Sequence, residues 1–432
     1  MLLEFSVDNF LSIKDSVTFS MNTDDGDENN SISVAINDRK HYQLLKSSVL
    51  YGANGSGKSN LLKAMARMRA IVLNEEKVML STDRLVHLPF LLNTETQDAS
   101  TTFEIVFFSN NQKIRYGFDF DSENVYSEWL FVDSNGKEAR IFTRDEEDSY
   151  VNPSFEEGFV YFDTEKKLIK VPKNQLFLWK CDQNSSELAS RVLEWFSDFN
   201  LIDGMAHHQF IDYTLNKMKD KEFLKVMSKL ICEADIGINS VALQEKEVSF
   251  DELPDEVKKL ISTQVPNMKD LATSIQQHSI LTKHSLYDEK NRLLRGKEVE
   301  FNLDKNESKG TVKFFRMLGP ILDTLNNGKV LIIDELDSSL HPLLSIKLIS
   351  LFKDPKINTK GAQVIFATHD TNLLNPVVFS RQEIWFSEKD KYGATKVYSL
   401  SELKGVRKNE SFAKQYLMGK YGAIPYLGSF EF

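Results

Sequence analysis

The stretch Gly52-Ala53-Asn54-Gly55-Ser56-Gly57-Lys58-Ser59 limits what this chain can fold into more than any other, because it has the form G-x-x-x-x-G-K-S/T. Glycines at these spacings let consecutive backbone N–H groups turn toward one centre and cradle an anion. The flanks agree with that use. Val49, Leu50 and Tyr51 form an apolar run suited to a buried strand, and Leu61, Met65, Met68 and Val72 recur at helical spacing. The loop therefore delivers its ligand to a helix N-terminus, where the helix dipole favours negative charge. The chemistry implied is nucleotide binding: Lys58 would reach the outer phosphates and the Ser59 hydroxyl would hold Mg2+. Asn60, the next residue, is grouped with this phosphate-binding segment.

Composition sets the context for that loop. A chain of 432 residues with 41% hydrophobic content can bury one large or two ordinary cores. No apolar run reaches the roughly 18 to 20 residues needed to cross a bilayer, so no membrane association is expected. The opening Met1-Leu2-Leu3-Glu4-Phe5 lacks a basic start and alternates like a strand, so no signal peptide is expected and the cytoplasm is the expected compartment. Cys181 and Cys232 stand apart, without a CxxC or a His/Cys cluster, which argues against a disulfide framework or structural zinc. A formal charge of −10 argues against a surface that is basic overall. DNA contact through a local stripe of Lys and Arg stays open.

Three segments are expected. Residues 1–172 read as β-rich around one P-loop helix, with a hairpin at Asn110-Asn111 and another at Asn135-Gly136. Residues 173–275 read as a helical insertion, with Leu188, Val192, Trp195, Phe196 and Phe199 in one apolar stripe and Phe223, Met227 and Leu230 in another. These stripes are core faces rather than cofactor contacts, and the pair His207-His208 reads as surface rather than a metal site. The acidic run from Asp24 to Asn30 lacks the closing Glu of a calcium loop and reads as solvated. From residue 276 to 432 the pattern alternates β and α, and Val330 to Ile333 and Val364 to Ala367 are short apolar runs of the kind found in buried parallel strands.

The first of those runs ends in Asp334-Glu335, as in a Walker B motif. Asp334 would hold Mg2+ and Glu335 would polarise an attacking water, since phosphoryl transfer to water needs a carboxylate in line with the phosphate. Many strands end in acids, so this pair is a weak signal alone. Three neighbours strengthen it. Leu336-Asp337-Ser338 follows directly, a second buried run delivers His369 to its polar tip, and Ser308 with Gly310 opens an apolar helix upstream.

That order of motifs resembles the ABC-type ATPase heads of the SMC, RecF and OLD group. The fold class implied is α/β, an ABC-type P-loop NTPase head with an antiparallel β subdomain and a helical insertion. The lobes are residues 1–172, with the P-loop, and 276–432, with the signature, Walker B and switch His. The resemblance implies a homodimer, or a higher oligomer, that sandwiches ATP and Mg2+. Lys58 and Ser59 of one chain would then face Ser308 and Gly310 of the other, with Asp337 on the seam and His369 at the γ-phosphate. Lys58, Glu335 and His369 are the catalytic set it implies. The opening Asn9-Phe10-Leu11-Ser12 also resembles these heads, with Leu11 in place of the usual basic residue. Residues Pro89 to Asn93 are a candidate Q-loop.

Finer stretches (Glu233 to Ile238, Asn372-Leu373-Leu374, and Lys420 to Pro425) resemble the AAA_15 and AAA_21 ATPases of bacterial defence operons, of the RloA or AbiL kind. Such a resemblance implies a separate effector protein, for example a Toprim-like nuclease. The roughly sixty residues after His369 are too few for a Toprim domain, so this chain is not expected to cut nucleic acid itself. An ATP-driven gate for an effector, a nucleotide-dependent scaffold holding a toxin or nuclease inactive, and a RecF-like DNA-repair ATPase all require the same site. For DNA, the candidates are Lys166, Lys167, Lys170 and Lys173, and the stretch from Lys283 through Arg292, Arg295 and Lys297.

Overall fold

The computed structural model describes residues 1–24, 30–36, 40–145, 149–163, 168, 170–204, 210–234, 237–249, 258 and 274–425. His207 and His208, Lys166 and Lys167, and most of the acidic run after Asp24 lie outside the described residues. Contacts divide the chain into two compact units, Met1–Met205 with Asp323–Phe432, and Ala206–Leu322. This partition differs from the three-segment one expected. The helices Phe177–Gln183 and Glu187–Ser197 belong to the first unit, because their apolar faces join its core.

Beside a two-stranded sheet of Ser31–Ile36 and Lys40–Leu45, the first unit is built on two large sheets. One has six strands in the order Phe199–Asp203, Val330–Asp334, Gln363–Ala367, Ser47–Tyr51, Ile384–Lys389 and Thr395–Ser399. All neighbours in it are parallel except the last pair. Its central strands Ser47–Tyr51 and Gln363–Ala367 are buried along their whole length, which is why they read as continuous rather than alternating apolar runs. The helix Lys58–Val72 follows the strand Ser47–Tyr51 and buries Leu61, Leu62, Met65, Met68 and Val72. Each large side chain so buried contributes about 1.5–3 kcal/mol.

The other sheet is antiparallel and has seven strands, with Leu2–Asp8 and Val17–Ser20 at one side and Tyr150–Val151 at the other. Asn110 and Asn111 make its two-residue hairpin turn with φ of 49° and 58°, the left-handed pair that a type I′ turn requires. Ile114, Tyr116, Phe118 and Phe120 all point into the core from the strand that follows. The stripe on Glu187–Ser197 packs there too: Trp195 stacks on Phe107 at 4.1 Å between ring centroids. Phe199, expected at the end of that stripe, instead opens the edge strand of the parallel sheet, because the helix stops at Ser197.

The second unit has the helices Ile211–Met218 and Lys221–Glu233; the expected stripe lies on the latter, which buries Phe223 and Met227, with Ile231 in place of Leu230. It also has a three-stranded antiparallel sheet of Ser240–Ser249, Ser274–Tyr287 and Leu293–Asn302; the first strand falls in the segment expected to be helical, the other two almost wholly in the segment expected to alternate β and α. The two outer strands, Ser240–Ser249 and Leu293–Asn302, are rich in charged residues and largely solvated, so they lack the apolar alternation that marks a half-buried strand. The helix Lys309–Asn327 contains Pro320, which has no N–H for the carbonyl of Arg316. The Thr214 hydroxyl donates to that carbonyl at 3.2 Å, and Gly319 gives Thr214 the room to reach it.

Candidate functional site

Three neighbouring parallel strands, in chain order Ser47–Tyr51, Val330–Asp334 and Gln363–Ala367, open their C-terminal ends on one edge of the sheet. Residues leaving those ends line a single cavity of about 780 Å³. Asn54, Gly55, Ser56, Gly57, Lys58, Ser59 and Asn60 enter it from the P-loop. Asp334, Glu335 and Asp337 enter after the second strand, and His369 after the third. Ser308 and Gly310 belong to the second unit, where the Ser308 hydroxyl accepts the Thr311 N–H at 3.1 Å and caps the helix Lys309–Asn327.

The P-loop is held in shape by its own lysine. Lys58 Nζ donates to the carbonyls of Gly52 and Ala53 at 2.7 and 3.1 Å. Burial pulls its pKa down to about 8, against Asp334, Glu335 and Asp337, which act to raise it. Gly57 caps the helix with φ of 104°, and a Cβ there would stand 2.2 Å from Thr395 Oγ1. Conformation and space both demand glycine at this position.

A hydrogen-bonded chain outside the motif braces the loop. Asn60 Nδ2 donates to Ser12 Oγ at 2.6 Å, and Ser12 Oγ bonds Thr395 Oγ1 at 2.7 Å. Thr395 Oγ1 donates to the Ser56 carbonyl at 2.9 Å, and Ser56 Oγ bonds Ser387 Oγ at 2.7 Å. Ser387, Lys389 and Thr395 carry no local motif and follow the P-loop by more than three hundred residues. Only their place in the sheet reveals them. Ser12 falls within the Asn9-Phe10-Leu11-Ser12 opening, directly after Leu11.

At the second strand, Asp334 Oδ1 is buried and has no hydrogen-bond partner among the described residues. Glu335 adopts φ of 54°, a left-handed conformation uncommon outside glycine. The turn is anchored by Leu336 N–H on the Ala367 carbonyl at 3.2 Å and by Gly204 N–H on the Asp334 carbonyl at 2.8 Å. His369 follows Thr368 and precedes Asp370, whose carbonyl accepts the Tyr51 hydroxyl at 2.9 Å. Burial, then the nearby Lys58, lowers the His369 pKa, while Asp337, Glu335 and Asp334 pull the other way. The net direction favours a neutral imidazole near pH 7.

The donor set fits Mg2+. Ser59 and Asp334 offer hard oxygens, the Asp334 Oδ1 atom has no other partner, and Mg2+ takes its remaining ligands from phosphate and water. Among the described residues no three His, Cys, Asp or Glu side chains converge into an all-protein metal site. No helix among the described residues is long and apolar enough to cross a membrane.

Other candidates fall elsewhere. Around Pro89 to Asn93, Phe90 is buried and its N–H is held by Asn9 Oδ1 at 2.9 Å, and none of these residues lines the cavity. In the basic stretch from Lys283, Lys283 pairs with Glu300 at 3.3 Å and Arg292 with Asp288 at 2.8 Å, which reduces the charge offered to a phosphate backbone. His284 Nε2 lies 2.6 Å from Glu307 Oε1, beside Ser308.

A family comparison covers the strands and loops that build this cavity. A family model described as "AAA domain, putative AbiEii toxin, Type IV TA system" matches residues 47–375, a span that runs from the P-loop strand past His369. Among solved structures, the chain is similar to the SMC head domain from Thermotoga maritima at 13% identity and a TM-score of 0.41, over 92% of this chain and 98% of that one. No curated protein sequence matches it.

Proposed function

The chain belongs to the AAA_21 family of AAA domains, a P-loop ATPase family, and from that premise we propose that it binds and hydrolyses ATP in the cavity above the parallel sheet. The observation that carries this reading is the convergence of Lys58, Ser59, Asp334, Glu335 and His369 on one cavity from three separate strand ends. Residues Gly52 to Asn60 would cradle the phosphates through backbone N–H groups and Lys58. Ser59 and Asp334 would hold Mg2+, which when bound supplies positive charge to the phosphate oxygens. Glu335 would orient and polarise a water, and a neutral His369 would donate a hydrogen bond toward the outer phosphate.

The reading extends to assembly. Ser308 and Gly310 open a 19-residue helix whose N-terminus suits a phosphate, and Ser308 is exposed. Two copies would bury two ATP molecules head to tail, each P-loop facing the partner's Ser308 and Gly310, with Asp337 at the seam. ATP-dependent closure and opening would gate a separate effector protein in antiviral defence; the family description, which names a toxin–antitoxin system, is compatible with a role in such a two-component system. The test is mass by light scattering with MgATP, using Glu335→Gln to retain the nucleotide. The expected result is a dimer in Glu335→Gln that is lost when Ser308→Arg is added. A mass that ignores both ATP and Ser308→Arg removes the sandwich.

A further inference from the structure

One cation in the cavity is not accounted for by any motif. Lys389 closes the strand Ile384–Lys389, is exposed, and lines the same cavity as the P-loop and Asp334. No carboxylate among the described residues is paired with it. Its place is well determined. Ser387, two residues earlier on the same strand face, is bonded to Ser56 Oγ at 2.7 Å. Across the hairpin Lys389 is in register with Thr395, whose hydroxyl donates to the Ser56 carbonyl. The Thr395 N–H donates to the Ser12 carbonyl at 2.7 Å. Both strands of the hairpin are thus pinned to the phosphate-binding loop.

Charge balance gives this lysine work to do. The cavity presents the carboxylates of Asp334, Glu335 and Asp337, while Lys58 is the P-loop's own cation and is engaged with Gly52 and Ala53. A nucleoside triphosphate with Mg2+ adds further negative charge, which a second free ammonium group would offset. Sheet order decides where along the ligand that group acts. Asp334, Glu335 and His369 leave strands on one side of the P-loop strand, and Lys389 leaves the strand on its other side. The terminal phosphate must lie toward Glu335 and His369, so Lys389 faces the opposite end of the phosphate chain.

We infer that Lys389 is a nucleotide-binding residue that contacts the α-phosphate and ribose side of the ligand. The assignment rests on the reading of the cavity as an ATP site. Dissociation constants of MgATP and MgADP, measured by calorimetry on the full chain, test it with Lys389→Ala, Lys389→Arg and Lys58→Ala. Lys389→Ala should weaken both nucleotides by the same factor, about three- to tenfold, as expected for a partly exposed charge-assisted contact. Lys389→Arg should recover most of that loss, and matched thermal melts exclude unfolding as the cause. Unchanged affinities in Lys389→Ala, or a loss confined to MgATP, overturn the assignment while leaving the ATP site standing. A parent chain that binds neither nucleotide, or one that Lys58→Ala does not weaken, overturns the ATP-site reading and this assignment with it.

Discussion

Gly204 lies directly against Glu335: a Cβ placed on Gly204 would stand 2.4 Å from the Glu335 carbonyl oxygen and 2.7 Å from that of Asp334. Both neighbours are backbone, so neither can swing aside. The absence of a side chain at Gly204 is therefore what lets the chain turn through the left-handed Glu335. Gly204→Ala should displace Glu335 from its position over the cavity. A shift of about 1 Å costs on the order of a hundredfold in rate when a reacting group is misplaced. We expect Gly204→Ala to lower ATP turnover by about ten- to a hundredfold while MgATP still binds, because the P-loop itself is untouched. Turnover equal to the parent would remove the positional role.

Lys58 makes nucleotide affinity sensitive to alkaline pH. Its pKa stands near 8 in the free protein because it is buried. Phosphates would favour the ammonium form and raise that value on binding. Below pH about 8 the group is charged in both states and affinity is flat. Above it, binding must take up a proton, so the association constant falls by up to about tenfold per pH unit. Calorimetry from about pH 7 to about pH 10 should show this fall in the parent and not in Lys58→Arg, whose guanidinium stays charged. The same slope in both proteins would contradict it.

Glu128 is a structural anchor of the first unit. It is fully buried, accepts the backbone N–H groups of Phe177 and Leu178 at the start of the helix Phe177–Gln183, and accepts the Tyr116 hydroxyl at 2.9 Å. Arg144 lies 3.8 Å away. Burial pushes the Glu128 carboxyl above its ordinary pKa and the Arg144 guanidinium below its own, so the pair sits in a poorly solvated place. Glu128→Ala leaves these donors without their acceptor and the buried Arg144 without its counter-charge, though still bonded to backbone carbonyls, and should cost about 3–5 kcal/mol. Glu128→Gln keeps one acceptor oxygen and should cost less. An unchanged unfolding midpoint in Glu128→Ala would contradict this account.

Much of the cavity's lining was legible because its residues stand in local motifs. The residues from Gly52 to Ser59 are contiguous, Asp334 and Glu335 follow one apolar run, and His369 follows another. The family span of residues 47–375 reflects the same blocks. The parallel strands were legible as well, since burial on both faces leaves continuous apolar runs. What escaped were residues that matter only through the fold. Gly204, Ser387, Lys389 and Thr395 reach the site by strand neighbourhood, and Gly204 is set against Glu335 by a parallel pairing of Asp203 with Asp334. The sheet of the second unit escaped for another reason. Strands such as Leu293–Asn302 are largely solvated, and charged residues on both faces erase the period of two.

The most direct measurement is steady-state ATP turnover of the purified full chain with Mg2+, compared with Glu335→Gln, alongside the MgATP affinity of each. The account predicts that the substitution lowers turnover by about a hundredfold or more, as loss of a positioned base does, while MgATP binds Glu335→Gln at least as tightly as the parent. Turnover in Glu335→Gln equal to that of the parent would contradict the assignment of the cavity as a hydrolytic site built on Glu335.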